Sequence, residues 1–169
     1  MGLVIISFAF HHYARAQTVT DNDIYGFYNH LWEKGMAERS VIRKEANDEY
    51  IEKALSNDLL VHPAFLKKNI FTKDDLAFMA EQLYEHKNFI WSAKQLKNIP
   101  VVNDDSIKNW GFYGYDSQMN NVFTSSIPLF SLDRRRCIIY IGDVMGIIYV
   151  YKKTWGRWKK IASFMVWQS

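Results

Sequence analysis

Apolar residues recur at helical spacing in the first half of the chain and in strand-length runs in the second. Ile24, Phe27, Tyr28, Leu31 and Trp32 stand at i, i+3, i+4, i+7 and i+8, one face of an amphipathic helix. Thr20-Asp21-Asn22-Asp23 precedes them as a capping box with Asp where Glu is commoner, and Gly35 supplies a stop. Asn47 is placed to cap a second helix carrying Tyr50, Ile51, Ala54 and Leu55 on one side and ending near Ser56-Asn57. Thr72-Lys73-Asp74-Asp75 opens a third, whose buried stripe is Leu76, Met79, Ala80 and Leu83, with Phe78 extending it. Phe89 and Trp91 are expected to pack where that helix ends.

After Pro100 the pattern changes. Val122 to Ser131 reads as extended, with Pro128 at an edge or bulge position. Arg136 to Ile141 and Ile147 to Tyr151 are near-continuous apolar runs joined by Gly142 to Gly146. Thr154-Trp155-Gly156-Arg157 turns the chain, and Trp158 to Trp167 makes a last strand. Three strands on short turns form an antiparallel meander. The expected fold is α+β, with N-terminal helices on one face of a C-terminal antiparallel sheet.

Composition adjusts this picture in three ways. The chain has 169 residues, the size of one domain, of which 16% are aromatic, so one core suffices. The net charge of +3 comes from 21 basic and 18 acidic residues, a mixed balance that points away from a dedicated nucleic-acid binder. Arg134-Arg135-Arg136 forms a basic cluster beside a strand, where charge keeps a turn solvated. The single cysteine, Cys137, excludes an intramolecular disulfide and sits in an apolar run as a small buried hydrophobe.

Leu3 to Phe10 followed by Ala14-Arg15-Ala16 has the form of a signal peptide cleaved after residue 16, although no Lys or Arg precedes the apolar run. The mature chain would be one domain, 17–169, exported to the periplasm or the medium without a transmembrane segment.

The second half also resembles a family of small exported bacterial proteins with no assigned activity. The resemblance is carried by Phe71 to Met79 with Gln82, Phe89 and Trp91, and by Ser126-Ile127-Pro128-Leu129-Phe130-Ser131. The ending adds Tyr149 to Lys153, a Gly-x-Trp-Lys hairpin at Gly156 to Lys159, and a closing Trp167-Gln168-Ser169. Relatives of this pattern often carry cysteines between the two apolar strands, where this chain has none. The resemblance implies export and an α+β fold and carries over no functional residue.

Catalytic and metal-binding motifs are sparse. His30, His62 and His86 lack zinc spacing, so no metal or other cofactor is expected. Asp74-Asp75 fits helix capping, Asp104-Asp105 a loop, and Asp143 turn geometry. Ser125, Ser126, Ser131 and Ser163 have no Gly-x-Ser-x-Gly context. Trp110, Phe112, Tyr113 and Tyr115, in a Gly-containing stretch, are the candidate binding surface; the simpler alternative is a lid folded over the sheet. The leading expectation is therefore a non-catalytic exported protein that binds another protein or an envelope component. A small enzyme or ligand carrier with a pocket between helices and sheet, and an immunity-type toxin neutraliser, are the alternatives.

Overall fold

The computed structural model describes residues 18–33, 40–56, 70–103, 105, 122–142 and 145–168. Among the described residues three helices have defined bounds, α1 Asp21–Trp32, α2 Glu49–Ser56 and α3 Lys73–Glu85. Both expected capping boxes form: Thr20 and Thr72 accept from the backbone N–H of Asp23 and Asp75, whose carboxylates bond back to the cap. Each such cap is worth about 1 kcal/mol. Asn47 Oδ1 accepts from Glu49 N–H at 3.3 Å, and α2 ends at Ser56 as its pattern requires.

The strands are β1 Val41–Arg43, β2 Val101–Val102, β3 Val122–Ser125, β4 Leu129–Phe130, β5 Arg136–Gly142, β6 Met145–Thr154 and β7 Arg157–Gln168. They make one sheet in the order β2-β1-β3-β5-β6-β7, with β4 also paired to β5. The meander β5–β6–β7 is antiparallel throughout. Two features go beyond the sequence expectation. β1 pairs parallel with both β2 and β3, so the sheet is mixed. Three residues of β1 and two of β2 are too few to show a period.

The second feature is that helices cover both faces of the sheet. Cys137, Ile139 and Tyr151 pack with Phe27, Tyr28 and other residues of α1. Ile138, Tyr140, Ile148 and Val150 pack with Ile51 and Ala54 of α2 and Met79 of α3. Alternate residues of a strand face opposite ways, so the unbroken apolar run of β5 needs cover on both sides. The expectation of helices on one face is corrected accordingly.

On the α1 side the core is aromatic. Phe27 meets Phe130, Tyr151 and Trp158 edge-on, with centroids 5.1–6.1 Å apart, and Trp91 packs on Tyr25, Tyr28 and Phe89. A buried polar seam ties this layer to the sheet where Pro128 breaks the β3–β4 run. Tyr28 hydroxyl donates to Ser125 Oγ and lies 3.0 Å from the Ser126 carbonyl, while Ser125 Oγ donates to the Tyr140 carbonyl at 2.8 Å.

The other layer is pinned by polar groups from α3. The Gln82 side-chain amide is fully buried and pairs twice with Phe130, donating to its carbonyl and accepting from its N–H, both at 2.8 Å. Gln82 thus acts as a strand neighbour to β4. It replaces Ala80 of the expected stripe, which is exposed. Asp75 accepts from Leu132 N–H at 2.9 Å and lies 3.6 Å from the Arg136 guanidinium.

The arginine cluster is therefore partly structural. Arg134 bonds Asp23 of α1 at 3.0 Å and the Thr18 carbonyl at 2.9 Å, and Arg136 donates to the Ile70 carbonyl at 2.6 Å. Arg135 keeps the solvent-facing role.

The β6–β7 hairpin closes in two residues, Trp155 (φ 52°) and Gly156 (φ 75°), between paired Thr154 and Arg157. Two positive φ angles in a two-residue loop mark a type I′ turn, which favours Asn-Gly. Tryptophan in that left-handed position costs about 1 kcal/mol.

Candidate functional site

A concavity runs between α2 and α3. It is a half-open cleft of about 480 Å³, inside the 300–1,000 Å³ range of ordinary ligand sites. Leu55, Leu76, Leu83 and Tyr84 form its apolar walls. Asp48, Glu52 and Lys87 form its polar end. These three also line an adjoining depression of about 390 Å³ that reaches Arg43, Glu45 and Thr124. The carboxylates thus stand where the two hollows meet.

Asp48 is held there by the fold. Its backbone carbonyl accepts from Glu52 N–H at 2.8 Å, the first turn of α2. Asn47 N–H is bound to the Ser125 carbonyl at 2.9 Å, which fixes the entry to the helix against β3. The side chain then reaches across to accept from Ile127 N–H at 3.1 Å, just before Pro128. Partial burial raises its pKa from 3.8 to about 6; the bond from Ile127 opposes that rise, Glu52 adds to it, and His86 counters it.

His86 caps the C-terminal end of α3, where its Nδ1 faces the Gln82 carbonyl at 3.1 Å. It influences Asp48 through space, and no hydrogen bond joins the two. The other expected site residues fall elsewhere. His30 Nε2 accepts from Trp158 N–H at 3.3 Å. Ser125, Ser126 and Ser131 are buried in hydrogen bonds to backbone or, for Ser131, also to Asp133 at 2.6 Å. Ser163 and Asp105 are exposed. Cys137 is completely buried, and burial pushes its thiol pKa well up, which suits a packing role.

Trp110, Phe112, Tyr113 and Tyr115 lie outside the described residues, as do His62, Asp104, Asp143 and the leader, 1–16. Among the described residues no three His, Cys, Asp or Glu converge as a metal would require, and no helix is long and apolar enough to cross a membrane.

Sequence reasoning passed over Asp48, because one Asp in Asn47-Asp48-Glu49 reads as helix-start chemistry. Its distinguishing feature is the contact with Ile127, 79 residues away. No local pattern carries that. No family model, curated protein or solved structure matches this chain.

Proposed function

We propose that this is a ligand-binding protein whose ligand lies in the α2–α3 cleft, an amphipathic molecule with a basic group at Asp48 and an apolar body along Leu55, Leu76 and Leu83. One observation carries the reading: a partly buried carboxyl, bonded by Ile127 N–H, stands where the two hollows meet. Asn at position 48 could accept the same bond from Ile127 N–H without a charge to desolvate. A group that costs stability and faces a cavity is characteristic of a functional site.

A carboxyl titrating near 6 is also suited to general acid–base catalysis, which keeps a small enzyme as the second reading. Binding is preferred because His86 is engaged with the Gln82 carbonyl rather than hydrogen-bonded to Asp48. Export stays part of the proposal on the strength of Ala14-Arg15-Ala16 alone. N-terminal sequencing of the exported chain should begin at Gln17, and a chain retained with its leader would remove that part.

Calorimetry with n-hexylamine and its neutral counterpart n-hexanol tests the cleft. The amine is expected to bind at least about ten-fold more tightly, and Asp48→Asn to abolish the difference. Equal binding of amine and alcohol to the unaltered protein would remove the assignment.

A further inference from the structure

We infer that the tip of the β6–β7 hairpin docks the protein on an anionic lipid surface, with Trp155 entering the headgroup interface. This surface is separate from the cleft, and its argument starts from charge. Residues 151–160 read Tyr-Lys-Lys-Thr-Trp-Gly-Arg-Trp-Lys-Lys, with five basic residues and no acidic one. Taking these five from the 21 basic residues leaves 16 against 18 acidic elsewhere, so the hairpin alone turns a slightly acidic chain basic.

The charges are available. Among the described residues, ion pairs such as those of Lys53, Arg134 and Arg136 include none of the five. Lys152 faces Lys159 directly across the ladder, a like-charge pairing that disfavours the hairpin until an anion neutralises it. Lys153 lies over the Trp158 ring at 5.6 Å and Lys160 over Tyr149 at 5.3 Å on one face of the ribbon, while the paired Lys152 and Lys159 stand on the other.

Trp155 is the second, independent observation. It is 97% exposed at the tip, the most exposed of the large apolar side chains in the described chain. It occupies a left-handed turn position that Asn or Gly fills with less strain, and it packs against no core. Neither packing nor backbone geometry requires tryptophan there.

An indole projecting from a basic rim matches the membrane interface, where Trp sits at headgroup level and Lys or Arg meets anionic phosphates. Single-stranded nucleic acid would call for several exposed aromatics as a stacking platform, and a protein hot spot for a surrounding apolar patch. The tip provides one aromatic within a charged ring. One indole and a basic cluster give reversible, salt-sensitive attachment.

The test uses the whole chain and sedimentation with vesicles of phosphatidylcholine containing about one quarter phosphatidylglycerol. The expected result is binding at low salt, release at high salt, and little binding to pure phosphatidylcholine. Trp155→Asn, which suits the turn and keeps the fold, should weaken binding by about ten-fold and abolish quenching by brominated lipid. The double variant Lys152→Gln, Lys159→Gln should bind several-fold less and with a shallower salt dependence. Failure of the unaltered protein to bind anionic vesicles at low salt overturns the proposal. So does binding unaffected by Trp155→Asn, or retention on DNA or a partner protein with none on vesicles.

Discussion

Asp48 and Gln82 are polar side chains on neighbouring elements, and burial treats them oppositely. Gln82 has no charge to lose and meets a strand backbone that matches its donor and acceptor at 2.8 Å each. Asp48 receives one bond, from Ile127 N–H, and carries a charge into a partly dry site. Its folded pKa of about 6 exceeds the ordinary 3.8, so the folded chain binds this proton more tightly than the unfolded one. Its contribution is therefore most favourable below about pH 4 and is lost as pH rises through about 6. Asp48→Asn should accordingly match the unaltered protein near pH 4 and exceed it near pH 7.5, by an amount on the order of 2 kcal/mol after allowance for the solvent that reaches the group. Urea unfolding of both proteins across that range measures it. A variant less stable at the higher pH would show that the charge supports the fold.

At the scale of elements, β4 is only Leu129–Phe130, and its place depends on α3 as much as on β5. Gln82→Met keeps the volume but strips both partners from Phe130, leaving its buried N–H and carbonyl unmet on that side. The expected loss is about 3 kcal/mol, with amide exchange at Phe130 accelerated before that of the β5–β6 ladder. Exchange at Phe130 unchanged in the variant would assign β4's order to its pairing with β5 alone.

The same elements show what a sequence can and cannot convey. Thr20 and Thr72 were legible because a capping box spans four residues, and the turn at Thr154 to Arg157 because its two strands announce themselves, although its type I′ geometry came only with the backbone angles. Ala80 was misplaced and Gln82 missed as buried because periodicity ranks residues by hydrophobicity, whereas Gln82 is inside for its hydrogen bonds. β1 and β2 were illegible for a different reason. Their identity as strands comes from parallel neighbours 59 and 81 positions along, through pairs such as Ile42 with Val101 and Val41 with Val122.

At the scale of the molecule, the sheet is covered on both faces, and the two proposals concern two places among the described residues. One is the α2–α3 cleft, where the helices diverge enough to leave Leu76 and Leu83 half-covered beside Asp48. The other is the far end of the longest hairpin, which extends past the core and carries a basic surplus.

The cleft assignment depends on the charge state of a single carboxyl, which carbon-detected NMR follows directly. With the Asp48 side-chain carbon labelled, its resonance in the free protein should titrate near pH 6, and saturating n-hexylamine should shift that midpoint downward by about one unit or more. A midpoint near 4 in the free protein, or one that the amine leaves in place, would contradict the account.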